Sequence, residues 1–319
     1  MKNRVLSVIL LSYNSGDRIR RCYEKLAKNL NAEGIPFEFI VMDDGSKDDS
    51  YDKALKLEKE VDHVRAHQLS RNYTSPYSIF AGYSICKGAC ATCIPDDEQQ
   101  PYETIVKMYR LWEQGHKVIF PYREDRHDPI ISRFFSYGYY WVMNHFSDIQ
   151  FPPGGFDSLL IDREVIDILN GRIHPVNTSP ILEVMRMGFS PAYLPYKRAL
   201  GLNETKSRWS FRKKIKLAKD TFFAASTFPV QAIMFVGVLT FALSVCASAL
   251  YFYIAMWGNH KFWGYQVPGW TSIILLILFF GGVVMLSLGM IAEYIWRIYD
   301  EVKGRPGFII KKKEEDENT

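Results

Sequence analysis

The sequence predicts an α/β fold with a mainly parallel sheet, followed by a hairpin of two membrane-spanning helices. Three observations carry this prediction. Apolar runs of strand length alternate with helical patterns as far as Arg123, polar clusters follow the strands, and two long stretches near the C-terminus contain no charged residue. Strands that alternate with helices form parallel sheets covered on both faces. A chain of 319 residues has room for one such domain and a smaller second part.

Five apolar runs are the predicted strands. They occupy residues 5–11, 37–42, 64–69, 91–94 and 118–121. Helical patterns fill the intervals, at residues 17–29, after Ser46, at 76–86 and at 101–112. Ser46, with Asp49 three residues later, predicts a capping box at the start of the second helix. Beyond the fifth strand the alternation stops.

Residues 221–260 and 262–292 contain no Asp, Glu, Lys or Arg. Each stretch exceeds the roughly 20 residues that cross a bilayer, so we expect spans at about 230–257 and 270–291. Two buried core helices are the alternative, which such long uncharged stretches disfavour. Basic residues flank the pair on both outer sides, whereas the loop between them carries only Lys261. The positive-inside rule then places both chain ends in the cytoplasm.

These patterns divide the chain into four parts. We expect a cytosolic domain at residues 1–205, a basic amphipathic helix beside the membrane at 206–227, the two spans within 228–296, and a charged cytosolic tail at 297–319. The aromatic-rich stretch at about 130–146 suits a protein core, but we favour a place in the membrane interface. No signal peptide is expected, because the first apolar run is too short. An integral protein of a bacterial cytoplasmic membrane fits this organisation.

Charge, sequence motifs and cysteine content disfavour several classes of protein. The net charge of +4 is modest, and we predict no nucleic-acid partner. No Gly-x-Gly-x-x-Gly or Walker-type loop is present, which disfavours dehydrogenases and nucleotide hydrolases. The five cysteines suit a reducing compartment. Three of them, Cys86, Cys90 and Cys93, are close enough in sequence to suggest a metal site, but no fourth ligand is evident.

The polar clusters that follow the strands are the candidate site. They contain Asn14, Asp43 with Asp44, Arg71, Asp96 with Asp97, and Arg123. Ligands of parallel sheets bind beyond the carboxyl ends of the strands. Two adjacent carboxylates on a loop repel each other unless a cation lies beside them, and magnesium or manganese with a diphosphate would supply that cation. A solvated acidic turn is the alternative. Four arginines are candidates for binding phosphate: Arg71, Arg123, Arg126 and Arg133.

The order of several motifs resembles the family-two inverting glycosyltransferases, in particular the branch that acts on polyisoprenyl phosphates. The motifs are Val-Ile-Leu-Leu-Ser-Tyr-Asn at 8–14, Val-Met-Asp-Asp-Gly-Ser at 41–46, Leu-Ser-Arg-Asn at 69–72, Asp-Glu-Gln-Gln-Pro at 97–101, Gly-Phe-Asp at 155–157, Glu-Thr-Lys-Ser at 204–207, Glu-Tyr-Ile-Trp-Arg-Ile-Tyr at 293–299, and Arg-Pro at 305–306. The resemblance implies a GT-A fold, Rossmann-like with a mainly parallel sheet, and a nucleotide-sugar donor. It also implies Mg²⁺ or Mn²⁺ as cofactor.

The resemblance also implies roles for single residues. Asp97 would bind the metal and, with Asp96, Arg123 and Arg133, form the catalytic group. The donor would lie against Asp44, which contacts the base, and against Asp43, Asn14, Arg71 and Gln99. The lipid phosphate would meet Arg126, Arg133 and Lys206. The implied reaction is the inverting transfer of one sugar to a polyprenyl phosphate, with UDP favoured as nucleotide and undecaprenyl as lipid. No Gln-x-x-Arg-Trp motif of processive relatives is present.

One departure from the family pattern leaves alternatives open. Pro95 stands where the family's Asp-x-Asp motif has its first aspartate. Asp96 could take over a ribose contact, metal binding could be weaker, or the chain could be a non-catalytic membrane scaffold.

A further enzymatic alternative is transfer to a lipid hydroxyl, with Asp157 as general base. Small residues on the second span, Gly281, Gly282 and Gly289, would permit homo-oligomers through close helix packing.

Overall fold

The computed structural model describes residues 4–123, 145, 158–197, 228, 231–240, 242–243, 246, 261–262, 265–266 and 269–313. The chain forms two compact units. The first contains Met1–Ala225 together with Pro306–Thr319, and the second contains Ser226–Arg305. The sequence predicts a single charged tail from residue 297 onwards. It did not predict that the C-terminal residues return to the first unit.

The first unit is built on a seven-stranded sheet with the order β3-β2-β1-β4-β6-β5-β7. Its strands are β1 (Leu6–Ser12), β2 (Phe37–Asp43), β3 (Val64–Gln68), β4 (Cys90–Pro95), β5 (Val118–Arg123), β6 (Leu160–Asp162) and β7 (Ala192–Tyr196). Its helices are α1 (Arg18–Ala32), α2 (Ser50–Glu60), α3 (Ser75–Ile85), α4 (Tyr102–Glu113), α5 (Arg163–Arg172) and α6 (Pro180–Arg186). The α/β class and the five predicted strands are confirmed.

The sheet is mainly parallel, as predicted. Strands β1, β2, β3 and β4 are parallel neighbours, and β5 is parallel to β7. The exception is β6, which runs antiparallel to both β4 and β5. The sequence did not predict β6, because its three residues form too short a run to show a period.

Both faces of the sheet are covered, which explains why its strands are continuously apolar. Leu6, Val8 and Leu10 of β1 pack in one core with α1, α2 and α4. Ile9 faces the other way and packs in a second core with α3 and α5. Helix α3 lies very close to the sheet, since a Cβ on Gly82 would be 2.5 Å from the side chain of Ile9.

In the described part of the second unit, the long helix is Gly269–Val302. Its segment Phe279–Val302 has a mean hydropathy of 1.6 and is the one helix in the described part of the chain long and apolar enough to cross a membrane. Gln231–Thr240 is a shorter apolar helix. Most of the span predicted at 230–257 lies outside the described residues, so the two-helix hairpin stays a prediction. The same holds for the helices predicted at 130–146 and 206–227.

Candidate active site

The carboxyl ends of four strands meet at one edge of the sheet. Ser12 of β1 is level with Asp43 of β2, and Asp43 is level with Gln68 of β3. On the other side of β1, Leu11 is level with Pro95 of β4. The loops that follow these strands therefore begin side by side. The structure brings the polar clusters after β1 to β4 together at the edge where ligands of such sheets bind.

Asp43 is the fully buried centre of this edge, with none of its surface exposed. One carboxylate oxygen accepts hydrogen bonds from the Ser46 backbone N–H at 2.9 Å and from Gln68 Nε2 at 2.9 Å. The other accepts from the hydroxyls of Ser46 and Ser12. Because both oxygens are satisfied by protein donors, Asp43 holds the loop after β2 in one conformation.

Asp44 is 6% exposed and ties this loop to the start of α3. Its two carboxylate oxygens accept hydrogen bonds from the backbone N–H groups of Tyr73 at 2.7 Å and Thr74 at 3.0 Å. Burial raises the pKa of Asp44, and these two hydrogen bonds oppose that rise. Thr74 has a positive φ of 82°, a conformation that costs energy for a β-branched residue. Asp44 therefore stabilises a strained turn beside the site.

Gly45 allows the loops after β2 and β3 to touch. Its φ is +68°, and a Cβ built there would be 2.5 Å from the carbonyl carbon of Arg71. No side chain larger than hydrogen fits without moving one of the two loops. The close approach places Arg71, whose guanidinium lies 4.2 Å from the ring centre of Tyr73, next to the two aspartates.

We predict that Gly45→Ala destabilises the protein and weakens nucleotide binding, because the new methyl group adds a backbone collision to the strain of a positive φ. The strain alone costs about 1–2 kcal/mol. Gly34→Ala is the matched control, since Gly34 has a φ of +64° with no atom within 4 Å of its added Cβ. Thermal unfolding of both variants should show the larger loss for Gly45→Ala. Equal losses would mean that the two loops separate freely.

The capping box predicted for Ser46 and Asp49 is wrong. Ser46 Oγ instead accepts the Asn14 backbone N–H at 2.9 Å and donates to Asp43. Helix α2 begins four residues later, at Ser50. The buried Ser50 hydroxyl accepts from the backbone N–H groups of Ser15 and Gly16, both at 2.8 Å. Both serines thus connect the loops after β1 and β2 rather than cap a helix.

Asp96 faces the inside of the protein. It is 6% exposed, and one of its oxygens accepts a hydrogen bond from Ser15 Oγ at 2.6 Å and pairs with the Arg18 guanidinium at 2.9 Å. Arg18 also donates to the backbone carbonyl of Asn14 at 2.8 Å. The sequence places Asp96 in the catalytic group with Asp97, and that role stays a prediction; in the structure its contacts fix the loop after β1. Neither Ser15 nor Arg18 was predicted from the sequence to belong to the site.

Asp97, in contrast, is exposed at the end of β4. Its Oδ1 accepts the Gln99 backbone N–H at 3.3 Å. The neighbouring Glu98 turns away and pairs with Arg21 and Lys25 of α1. Glu98 has a positive φ of 54°, in the left-handed region that residues other than glycine seldom adopt. Asp97 is therefore the acidic side chain of this turn that a ligand can reach.

Glu98 is predicted to stabilise this turn in a pH-dependent way. Its side chain is 10% exposed; burial would raise its pKa, but the hydrogen bonds from Lys25 and Arg21 outweigh burial and lower the pKa from the ordinary glutamate value. A lowered folded-state pKa means that the stabilisation is present above the unfolded-state pKa and is lost as pH falls through the folded-state pKa.

We expect Glu98→Gln to lower stability by about 1 kcal/mol at pH 7. The difference from wild type should shrink as the pH falls below about 4.3, the ordinary value for glutamate. Melting temperatures measured from pH 7 to acid check this. The control is Glu60→Gln, which removes the exposed pair with Arg20 and should change little. A deficit that persists unchanged in acid would contradict the account.

The structure describes some of the remaining candidate residues and not others. Gln99 is half-buried beside Asp97, and Arg123 is the last residue of β5. Arg126, Arg133, Asp157 and Lys206 lie outside the described residues. The cysteines Cys86, Cys90 and Cys93 are buried free thiols. Within the described part of the chain no group of three or more His, Cys, Asp or Glu could hold a metal ion, so a cysteine metal site finds no support there.

The side chains at this edge suit a magnesium or manganese ion that is bound partly by the protein and partly by the substrate. Such ions are commonly bound by one or two carboxylates together with substrate phosphates, rather than by a cage of protein ligands. Asp97 offers one exposed carboxylate, whereas Asp96 is already neutralised by Arg18. The donor set therefore suits an ion that arrives with a diphosphate.

Comparison with known proteins identifies the family. Residues 7–155 match the family described as Glycosyl transferase family 2. The uncharacterized glycosyltransferase YkcC of Bacillus subtilis is 30% identical over 98% of this chain and 95% of its own length. The bactoprenol glucosyl transferase of Shigella phage SfII is 27% identical over 96% of this chain and 97% of its own.

Among solved structures, the mannosyltransferase PcManGT from Pyrobaculum calidifontis, in complex with GDP-Man and Mn²⁺, is 14% identical with a TM-score of 0.45 over 83% of this chain and 84% of that one. The mainly parallel α/β sheet is GT-A-like, as the motifs implied. Since a relative with 30% identity spans nearly the whole sequence, the chain belongs to the family 2 glycosyltransferases.

Proposed function

We propose that this protein transfers one sugar from a nucleotide-sugar donor to the phosphate of a polyprenyl lipid at the cytosolic face of a membrane, with inversion at the anomeric carbon. The observation that carries the proposal is the polar edge formed by the ends of β1 to β4. Full-length similarity to proteins named bactoprenol glucosyl transferases supports a polyprenyl phosphate acceptor. It also makes UDP-glucose the first donor to test.

The donor nucleotide binds across the ends of β1 and β2. Asn14 and Arg71 are exposed there, and the Asp43–Asp44 loop between them is fixed by its hydrogen bonds. A loop that is already held in one conformation lowers the ordering cost of binding. Asp96 contributes indirectly, by holding Ser15 and Arg18. Pro95 therefore does not exclude activity, because the acidic residue that faces the ligand is Asp97.

Asp97, with Gln99 beside it, would hold a divalent cation together with the donor diphosphate. Such an ion would supply positive charge that stabilises the leaving diphosphate. Arg123, Arg126, Arg133 and Lys206 supply further positive charge for the lipid phosphate. The exposed apolar helix Phe279–Val302 would anchor the protein in the bilayer that contains this lipid.

The reaction needs no strong general base. A phosphate monoester is already anionic at neutral pH, so one of its oxygens attacks the anomeric carbon directly. The bond from that carbon to the diphosphate breaks, and the nucleoside diphosphate leaves with the electron pair. Attack opposite the leaving group inverts the anomeric centre. The protein mainly orients the two reactants and neutralises charge.

The test is transfer of radiolabel into organic-extractable lipid. Purified full-length protein would be incubated with undecaprenyl phosphate, Mn²⁺ and each of several UDP- and GDP-sugars. A labelled lipid that releases its sugar in mild acid supports the proposal and names the donor. A labelled lipid that resists mild acid would indicate transfer to a hydroxyl. Absence of both transfer and nucleotide binding would favour the non-catalytic scaffold.

A further inference from the structure

A C-terminal segment, residues 306–313, folds against the edge strand of the first unit. Ser70 donates its backbone N–H to the Ile309 carbonyl at 2.9 Å, and Lys311 donates to the Gln68 carbonyl at 2.8 Å. Leu69 and Ile310 form an antiparallel bridge between these bonds. The segment therefore extends the sheet beyond the end of β3, which is the edge strand among the residues that the structure describes.

Side chains hold this segment, which we call the docked tail, in a specific position. Phe308 and Ile310 pack against the core on the α3 face of the sheet. A Cβ on Gly307 would collide with the carbonyl oxygen of Pro175. Lys313 pairs with Glu58 of α2 at 2.6 Å, and both side chains are largely buried. These contacts distinguish the docked tail from the solvated charged tail that the lysines at 311–313 suggest in the sequence.

The docked tail also reaches the candidate site through a chain of polar contacts. Lys311 Nζ donates to Gln68 Oε1 at 2.8 Å, and Gln68 Nε2 donates to Asp43 Oδ2 at 2.9 Å. A lysine ammonium only donates and an ionised carboxylate only accepts. The Gln68 amide, set between the two, therefore has a single favourable orientation. Lys311 reinforces that orientation from outside the buried cluster.

We propose that Lys311 is a positioning residue for the nucleotide-binding edge, acting through Gln68 on Asp43. The inference rests on the proposed function. When Lys311 is absent, the Gln68 amide loses the hydrogen bond to its oxygen and is held by Asp43 alone, so its side chain is less fixed and donates to Asp43 less persistently. Asp43 then holds Ser46 less firmly, and the loop after β2 loses its fixed shape. Bound nucleotide has to restore that shape, so affinity for the donor falls while the acceptor site is unaffected.

The test uses the full-length protein with Lys311→Met, which keeps most of the aliphatic stem, and Lys311→Arg, which keeps the charge and the donor. Lys312→Met is the matched control, because Lys312 is exposed beside it. We expect Lys311→Met to raise the Kd of UDP, measured by calorimetry with Mn²⁺, by about fivefold to tenfold. The KM for the nucleotide sugar should rise similarly, with the KM for undecaprenyl phosphate unchanged. Lys311→Arg should restore most of the affinity, and Lys312→Met should match wild type.

A second comparison places Lys311→Met in a Gln68→Leu background, where it should have no further effect on the Kd of UDP. A lower melting temperature for Lys311→Met with an unchanged Kd would overturn the proposal and leave the proposed function intact. Equal losses from Lys311→Met and Lys312→Met would also overturn it, since they would reflect net charge. Wild-type protein that binds neither UDP nor GDP would overturn the proposed function and this inference together.

Discussion

Replacing Asp97 with asparagine is expected to lower kcat for sugar transfer by about 100-fold to 1,000-fold. Asparagine has nearly the same size and keeps one acceptor oxygen, but it removes the negative charge that holds a divalent cation. Asp97 is exposed, and its Oδ1 accepts the Gln99 backbone N–H, a hydrogen bond that the asparagine oxygen can still accept. The fold should therefore tolerate the change, and the melting temperature should stay close to that of wild type.

Two controls make the Asp97 result specific. Asp62→Asn changes an exposed aspartate that precedes β3, at the opposite edge of the sheet, and it should leave kcat unchanged. Removal of divalent cations with a chelator should inactivate wild type, and excess Mn²⁺ should restore it. Asp97→Asn that keeps more than about a tenth of the wild-type rate would mean that this carboxylate does not hold the cation.

Asp43→Asn is expected to be the most damaging single-atom change to the structure of the site. One oxygen of the carboxylate accepts hydrogen bonds from the Ser46 backbone N–H and from Gln68 Nε2. The other oxygen accepts from serine hydroxyls, including that of Ser46. An asparagine amide directs an N–H₂ group at one of these sets. On the Oδ2 side that group would meet the Ser46 N–H and the Gln68 amide donor to donor. On the Oδ1 side the two serine hydroxyls, which donate in the native protein, would have to turn and accept. Either disruption, in a site with no exposed surface, costs about 1–3 kcal/mol.

Compensation at Gln68 is restricted, because Lys311 donates to its amide oxygen at 2.8 Å. We therefore expect Asp43→Asn to lower the melting temperature and to raise the Kd of UDP at least about tenfold, as calorimetry and thermal unfolding would show. Asp52→Asn, at an exposed position of α2, is the control. Unchanged stability and affinity in Asp43→Asn would contradict the view that this carboxylate organises the loop.

The strands of the first half of the fold were predictable because their signal is local. A strand buried on both faces needs a continuous apolar run, and the ends of β1 to β4 fall within two residues of the predicted ends. Strand β6 escaped prediction because it has three residues and runs antiparallel in a region where the alternation has ceased.

The roles of the site residues were less predictable, since they depend on contacts between distant parts of the chain. Asp96 pairs with Ser15 across 81 positions, and nothing in the acidic turn itself indicates this partner. Ser46 looked like a helix cap because its local pattern fits one, but a buried carboxylate three residues earlier binds it instead. Lys311 is 243 positions from Gln68, and a run of three lysines resembles a solvated tail.

The central claim is that the acceptor atom is a phosphate oxygen of a polyprenyl lipid. Phosphorus NMR of the purified lipid product tests this most directly. The account predicts that the monoester signal of undecaprenyl phosphate is replaced by a phosphodiester signal coupled to the anomeric proton of the sugar, with the anomeric configuration opposite to that of the donor. A sugar-bearing lipid whose phosphorus remains a monoester would contradict it.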